Sequence, residues 1–243
     1  MNLVDRIPSG SVIGRLARLP LRLIPNGTRI PVLAGLNRGR RFIKGYGPHG
    51  YWLGIVERAM QAVVANNVRP GDVVYDIGAN FGLYTLLFSK LVGKDGHVFA
   101  FEPAPRVLTG LRAHLELNSI QNVTVIEKAV AGGAEERRFR AAGDTCVGRL
   151  GEDGETLVQT TTLDLLVQEL PPPNCIKMDI EGAEVEALGA ASKCFRQYQP
   201  KLFLATHFDA RLNCCETLRS LGYDIHFVND HDLLAAPKGT ARA

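Results

Sequence analysis

The sequence predicts an α/β fold with a doubly wound, mostly parallel sheet, and three features support that prediction. From residue 72 onward, short apolar runs typical of strands alternate with longer runs that have helical periodicity. Parallel strands need crossover connections of this length, and helices usually supply them. A glycine-rich turn joins the first of these strands to the first of these helices. With 243 residues, 46% of them hydrophobic, the chain has enough apolar side chains for one large domain.

Residues 1–27 predict a basic N-terminal extension. Apolar side chains recur at helical spacing between residues 12 and 23, and three arginines lie on another face. Pro20 would interrupt this helix. Two interpretations stay open. The helix packs on the body of the protein or on a partner subunit, or it lies on a membrane surface and contacts anionic lipid.

Residues 28–70 predict a β-hairpin followed by a helix. The hairpin spans residues 28–44, with its turn at Asn37 to Gly39. The amphipathic helix runs from Trp52 to Val64 and is closed by asparagines and by Pro70-Gly71.

Residues 71–243 predict the main domain, in which the alternating pattern can be followed to the end. Residues 132–162 interrupt it as an irregular or hairpin insert. The predicted strands are Asp72 to Ile77, His97 to Phe101, Val123 to Glu127, Cys175 to Asp179, Lys201 to Thr206 and Asp224 to Val228. The predicted helices are Leu83 to Leu91, Pro105 to Asn118, Leu163 to Leu170, Glu184 to Phe195 and Asn213 to Leu221.

Charge and cysteine content exclude several classes of protein. Residues 1–44 carry nine Lys or Arg and one Asp, a net charge of +8, so the remainder of the +3 chain carries −5. No basic stretch is interleaved with aromatic residues, which argues against nucleic-acid binding. The sequence contains no run of about 18 apolar residues, so it predicts no transmembrane helix. The sequence has five cysteines, an odd number, and shows no secretory signal pattern, so we expect the protein in the reducing cytoplasm. None of the cysteines forms a CxxC pair, so their spacing predicts no zinc site.

The glycine-rich turn is the first candidate site. It has the spacing Asp-x-Gly-x-Asn-x-Gly, which differs from the Gly-x-Gly-x-x-Gly of dinucleotide-binding proteins. That spacing and its leading acid favour S-adenosylmethionine over NAD as the ligand. The free N–H groups at the start of the following helix could also bind a carboxylate or a phosphate. The candidate cofactor-binding residues of this turn and the next helical turn are Asp76, Gly78, Ala79, Asn80, Phe81, Gly82, Tyr84 and Thr85.

Glu102 ends the next strand, 24 residues after Gly78. An acid at this position can accept hydrogen bonds from both ribose hydroxyls of a nucleotide. The same carboxylate would repel a 2′-phosphate, which argues against NADP as the ligand.

Acidic residues and a histidine follow two later strands. Asp179 and Glu181 come after the strand at Cys175, and Glu184 is placed to complement the start of the next helix. His207 follows the next apolar strand and can accept a proton near pH 7. Asp179 and His207 are therefore the candidate catalytic bases, with His49 as a weaker candidate. Asp179 is also a candidate cofactor-binding residue. A divalent cation bound by Asp179 and Glu181 could activate a hydroxyl instead of a base, but we rank this alternative second and assign no metal-binding residues.

The ordered series of motifs resembles the FkbM-type family of S-adenosylmethionine-dependent methyltransferases, over roughly residues 28–230. The matching pieces are Gly71 to Thr85, Phe101-Glu102-Pro103, Lys128-Ala129-Val130, Thr161 to Asp164 and Lys177 to Glu184, with Trp52-Leu53-Gly54 and Glu57 upstream. The resemblance implies a class I methyltransferase fold, a Rossmann-like sheet of seven strands with the last strand antiparallel. Asp224 to Val228 and His231 to Leu234 would supply the closing hairpin.

The resemblance also implies an activity and a ligand set. Members typically methylate hydroxyl oxygens of sugars, glycolipids or secondary metabolites, so the implied partner is a small-molecule or glycan acceptor. The resemblance places the methionine and ribose of S-adenosylmethionine beside Asp76, Gly78, Asn80 and Gly82, and its ribose at Glu102. It places the adenine beside Lys128 and Ala129. Pro103 is a further candidate cofactor-binding residue.

One departure from the family pattern leaves alternatives open. Members often carry a glutamate two residues before the histidine that follows the fifth strand, and this chain has Ala205 there. The departure puts a metal-assisted or Glu-oriented base at His207 in doubt. The alternatives to a methyltransferase are an NAD-dependent oxidoreductase and an inactive cofactor-binding scaffold that recruits a partner through its basic N-terminal segment.

Overall fold

The computed structural model describes residues 21, 23–141 and 148–239. The helix predicted between residues 12 and 23 lies almost entirely outside the described residues. Within the described part of the chain, no helix combines the length and the apolar character needed to cross a membrane.

The N-terminal segment begins with the predicted hairpin, whose strands β1 (Arg29–Pro31) and β2 (Arg41–Ile43) pair antiparallel. The single helix predicted from Trp52 is wrong, because the segment forms two helices, α1 (His49–Leu53) and α2 (Arg58–Asn67).

The break between these helices has a steric cause. Gly54 has φ +73°, and a Cβ there would lie 1.9 Å from the carbonyl oxygen of Ala34. The close approach and the left-handed backbone both require glycine. Glu57 begins the second helix, also with a left-handed backbone (φ +48°).

The remaining elements follow in the predicted order, with bounds that differ by a few residues. The strands are β3 (Val73–Ile77), β4 (His97–Phe101), β5 (Val123–Ile126), β6 (Ala129–Val130), β7 (Glu136–Ala141), β8 (Gly148–Leu150), β9 (Thr156–Thr161), β10 (Cys175–Met178), β11 (Lys201–Ala205), β12 (Tyr223–Phe227) and β13 (Asp232–Pro237). The helices are α3 (Leu83–Val92), α4 (Pro105–Leu117), α5 (Leu163–Glu169), α6 (Glu184–Gly189) and α7 (Ala210–Ser220), with a π-helical turn at Cys194–Tyr198.

The central sheet has seven strands in the order β12-β13-β11-β10-β3-β4-β5. The pairs that join β11, β10, β3, β4 and β5 are parallel. Strand β13 is antiparallel to both of its neighbours, β11 and β12. This topology confirms the doubly wound sheet and the antiparallel last strand.

Helices cover both faces of the sheet, as a parallel sheet requires. On one face, Val74 and Phe203 pack with Phe88 of α3 and with Phe42 and Met60 of the N-terminal segment. On the other face, residues of β3 and β10 pack with helices α5, α6 and α7.

The insert at residues 132–162 is more ordered than predicted. Strands β6, β9, β7 and β8 form a second sheet in that order. Phe139 and Val158 of this sheet pack with Ala104 and Ala129 in a small separate core. The insert therefore stands beside the segments that follow β4 and β5.

The helix predicted from Glu184 to Phe195 is also wrong, because it ends at Gly189 and the π-helical turn follows. The carboxylate of Asp164 accepts hydrogen bonds from the backbone N–H groups of Lys193 and Cys194, at 3.0 and 2.8 Å. This side-chain cap starts a new helical turn instead of extending the first.

Candidate active site

The carboxyl ends of β3, β4 and β10 meet at a cavity of about 530 Å³. The chain leaves β3 for β4 on one side of the sheet and returns later to β10 on the other. In sheets of this kind the crevice at such a reversal is the usual ligand site. Gly78, Glu102 and Asp179, each following one of these strands, line the cavity.

The glycine-rich turn has a backbone that few other residues could adopt. Gly78, Asn80 and Gly82 all have positive φ, at +82°, +51° and +93°. A Cβ on Gly78 would lie 1.9 Å from the carbonyl oxygen of Asp179. Glycine at this position therefore lets the loops after β3 and β10 touch.

Gly78→Ala is expected to unfold at a lower temperature than Gly71→Ala. Both glycines have a similar positive φ, but a Cβ at Gly71 meets nothing within 4 Å. The left-handed backbone alone costs alanine roughly 1–2 kcal/mol, and the contact with Asp179 adds to that cost only at Gly78. Thermal unfolding of the two variants measures the difference, and equal midpoints would contradict the close approach.

Asp76 lies in β3 beneath the turn and is 1% exposed. The hydroxyl of Thr85 donates a hydrogen bond of 2.6 Å to its Oδ2. Burial raises the pKa of Asp76 to about 6, against the lowering effects of Thr85 and of the nearby ammonium of Lys177. The hydrogen bond and the ammonium therefore do not fully offset the cost of burying the negative charge of Asp76.

Glu102 holds the turn through its backbone. Its Oε2 accepts a hydrogen bond from the N–H of Asn80 at 3.0 Å, and its Oε1 accepts one from the N–H of Ala104 at 2.9 Å. Burial raises the pKa of Glu102 to about 7 despite these two donors. Each oxygen keeps a second lone pair that can accept from a ligand hydroxyl.

His207 is surrounded by three carboxylates. Its Nδ1 lies 2.7 Å from Oε1 of Glu184. Its Nε2 lies 3.5 Å from Oδ1 of Asp179 and 3.4 Å from Oε2 of Glu181. Burial alone would lower the pKa of His207, but the hydrogen bond to Glu184 and the surrounding negative charges raise it above its usual value.

Glu184 is the carboxylate that orients the ring of His207. It is fully buried at the first position of α6, and its Oε1 also accepts from the N–H of Gly182 at 3.1 Å. A carboxylate accepts hydrogen bonds, so we assign the proton of neutral His207 to Nδ1, which leaves Nε2 facing Asp179 and Glu181. Glu184 is thus the carboxylate that contacts Nδ1 of His207 in this chain.

Asp179 joins this centre to the cavity. Its Oδ2 lies 3.2 Å from the ammonium of Lys177. Burial would raise the pKa of Asp179, but the charges of Lys177 and His207 hold it below its usual value. Asp179 is therefore ionised near neutral pH.

Most of the other predicted residues also lie at the cavity. Its lining includes Ala79, Asn80, Phe81, Tyr84, Pro103 and Ala129. Thr85 lies behind Asp76. Lys128 is half-buried but absent from the lining, and His49 begins α1 against the ring of Trp52. The geometry therefore gives no support to the predicted roles of Lys128 and His49.

Two cavity residues, Glu57 and Lys177, have no role in the sequence-based prediction. Lys177 is 1% exposed and lies on β10, two residues before Asp179. A lysine inside an apolar strand was a readable signal, since lysine is almost never fully buried unless it is paired. Glu57 was singled out only by the family resemblance, because the break that turns it toward the cavity depends on the packing of Gly54 against Ala34.

The parallel sheet with one antiparallel strand, the acid-led glycine turn and Glu102 after the second parallel strand define a class I methyltransferase fold. The sequence profile of the Methyltransferase FkbM domain matches residues 76–225, more than half of the chain. The chain therefore belongs to the FkbM methyltransferase family.

Two relatives illustrate the range of this similarity. Hexuronic acid methyltransferase AglP of Haloferax volcanii is 28% identical over 136 residues, which cover 54% of this chain and 55% of AglP. The 31-O-demethyl-FK506 methyltransferase FkbM of Streptomyces tacrolimicus is 51% identical over 72 residues, which cover 30% of this chain and 27% of FkbM. The chain thus matches about half the length of the first relative and about a quarter of the second.

Solved structures show the same fold. The precorrin-6y C5,15-methyltransferase of Geobacter metallireducens superposes with a TM-score of 0.51 at 18% identity, covering 75% of this chain and 90% of that one. Methyltransferase FkbM of Methylobacillus flagellatus superposes with a TM-score of 0.50 at 18% identity, covering 79% and 56%. At these identities the likeness supports the fold alone.

Proposed function

We propose that this protein is an S-adenosylmethionine-dependent O-methyltransferase whose acceptor is a hydroxyl of a sugar, a glycolipid or a secondary metabolite. The charge of the cavity is the observation that carries the proposal. Five carboxylates and two cationic side chains line it, namely Glu57, Asp76, Glu102, Asp179 and Glu181 with Arg106 and Lys177. An acidic cavity suits a sulfonium cation and disfavours NAD, whose pyrophosphate carries two negative charges.

The residues present fit this cofactor. Glu102 offers free lone pairs to the ribose hydroxyls, and Ala129 lines the wall expected for the adenine. The Tyr84 hydroxyl is buried beside Glu57, yet it makes no hydrogen bond of normal length to any described group. An unsatisfied buried hydroxyl is costly, so a polar ligand group at this point would stabilise the site.

Deprotonation of the acceptor hydroxyl is the step assigned to the chain's own residues. S-adenosylmethionine, when bound, supplies a methyl group activated by its sulfonium. The hydroxyl proton passes to Nε2 of His207 while the oxygen forms the new C–O bond, and the electron pair of the broken C–S bond stays on sulfur. Glu184 holds Nδ1–H, and Asp179 and Glu181 stabilise the imidazolium that results.

A divalent cation is the second candidate at the same centre. Asp179, Glu181 and His207 each offer a ligand atom, and these atoms lie within 4.8 Å of one another. We rank the base first, although the contact between Nδ1 and Glu184 suits either role because it leaves Nε2 free for a proton or for a cation. Dialysis against a chelator distinguishes the two, since the base mechanism predicts unchanged turnover and the metal mechanism predicts its loss.

The acceptor is proposed from the relatives, one of which is named for a hexuronic acid and the other for FK506. Transfer of labelled methyl from S-adenosylmethionine to a panel of sugars, glycolipids and polyketide alcohols tests the reaction. We expect label in an ether that survives mild base. Label only in base-labile esters or on nitrogen, or no label in any of these acceptors, would contradict transfer to a hydroxyl.

The proposal also predicts a pH dependence of cofactor binding. Burial raises the pKa of Asp76 to about 6 and that of Glu102 to about 7, and their ionised forms are the better partners for a cation and for ribose hydroxyls. Affinity for S-adenosylhomocysteine should therefore rise between pH 5.5 and 8, with protons released on binding. Isothermal titration calorimetry in buffers of different ionisation enthalpy measures both quantities.

The ligand-free protein should show the opposite trend in stability. Folded-state pKa values above the unfolded ones mean that these acids contribute most stability below about pH 4 and lose it as pH approaches 7.

Glu102→Gln should flatten the binding profile above pH 6. An unchanged profile in this variant would assign the titration to another group.

A further inference from the structure

Lys177 is a buried cation at the floor of the cofactor cavity. Its ammonium lies 3.2 Å from Oδ2 of Asp179 and 5.1 Å from the centroid of the Tyr84 ring. Asp179 is the one described group to which it donates a hydrogen bond, although a lysine has three N–H donors. Two donors of a fully buried ammonium are thus available to a ligand in the cavity.

Glu57 approaches the same place from the other side. It lines the cavity with Lys177 and Asp179, and the charges of both residues act on the pKa of its carboxyl group. Its backbone has φ +48°, a conformation that costs a non-glycine residue roughly 1–2 kcal/mol. Such strain is most often found at functional sites.

The charges of this region do not balance. Glu57, Asp76 and Asp179 surround the one ammonium of Lys177, and burial raises the pKa of Glu57 even though Lys177 opposes that change. A ligand that brings a cation near Glu57 and an anion near Lys177 would complete the set. An α-amino-acid zwitterion carries these two groups on one carbon.

We infer that Glu57 and Lys177 form the subsite for the amino-acid end of S-adenosylmethionine, with Glu57 binding its ammonium and Lys177 its carboxylate. The inference rests on the proposed cofactor, and it assigns two residues outside the glycine turn to cofactor recognition. The nucleoside end would be held by Glu102, so the two ends of the ligand are read by separate charges.

Truncated ligands test the inference without knowledge of the acceptor. S-adenosylhomocysteine has both charged groups, its decarboxylated analogue keeps the ammonium, its deaminated analogue keeps the carboxylate, and 5′-methylthioadenosine lacks both. Calorimetry on the wild-type protein should show that S-adenosylhomocysteine binds at least about tenfold more tightly than 5′-methylthioadenosine, since hydrogen bonds to charged groups are strong. Equal affinities would overturn the inference.

The variants separate the two contacts. Lys177→Met should weaken S-adenosylhomocysteine and the deaminated analogue by about tenfold or more, and leave the decarboxylated analogue and 5′-methylthioadenosine unchanged. Glu57→Gln should weaken S-adenosylhomocysteine and the decarboxylated analogue instead. Lys201→Met removes a lysine of the neighbouring strand that donates to Asn67, and it should change none of the four affinities.

The same data distinguish failure of the inference from failure of the proposed function. If Lys177→Met and Glu57→Gln weaken all four ligands by one common factor, the two residues act only on the fold and the inference is wrong. If the wild-type protein binds none of the four, the proposed cofactor itself is wrong. Binding of 5′-methylthioadenosine by each variant also shows that the variant is folded.

Discussion

Replacement of His207 by alanine is expected to lower kcat for methyl transfer by roughly 10²- to 10⁴-fold, the usual contribution of a positioned general base. Affinity for S-adenosylhomocysteine should stay the same, because His207 is not among the residues that line the cofactor cavity. Labelled-methyl transfer at saturating acceptor gives kcat, and calorimetry gives the affinity.

The pH profile adds a readout that a purely structural role would not change. Because the pKa of His207 lies above its usual value of 6.5, kcat should rise with pH, with a midpoint above that value. Glu184→Gln removes the charge but not the shape of the partner of Nδ1, so the rise should move to lower pH. Turnover by His207→Ala within threefold of wild type would show that the base lies elsewhere.

Glu102→Gln is expected to weaken binding of S-adenosylhomocysteine by roughly 10- to 100-fold, because a charge-assisted acceptor for the ribose is replaced by a neutral one. The backbone donors of Asn80 and Ala104 would also compete for one carbonyl oxygen instead of two carboxylate oxygens. Calorimetry against S-adenosylhomocysteine measures the loss.

Glu127→Gln is the matched control for this variant. Glu127 follows β5, lies at the surface and pairs with Arg112. Its substitution should leave the affinity unchanged. If Glu102→Gln bound as tightly as Glu127→Gln, the buried carboxylate would have no part in holding the ribose.

The strands β3, β4, β10 and β11 of the central sheet could be predicted because each is a short apolar run that the fold buries on both faces. Val73–Ile77 and Lys201–Ala205 differ from their predicted bounds by a single residue. The helix breaks could not be predicted, because each depends on a distant partner. Gly54 turns where Ala34 approaches it, and the turn at Cys194 begins where Asp164 caps it.

The candidate site divides along the same line. Asp76, Gly78 and Glu102 are recognisable because their proposed functions follow from their places at or near the ends of strands. The contact between His207 and Glu184 spans 23 residues and depends on α6 starting beside the loop after β11. Sequence spacing could indicate that both lie near the cavity, but not that one holds Nδ1 of the other.

The most direct test of the central claim is a crystal structure of the protein with S-adenosylhomocysteine. We expect the ribose hydroxyls within hydrogen-bond distance of Glu102 and the ligand sulfur on the His207 side of the cavity. Electron density for the nucleoside away from the turn at Asp76, or an empty cavity at saturating ligand, would contradict the account.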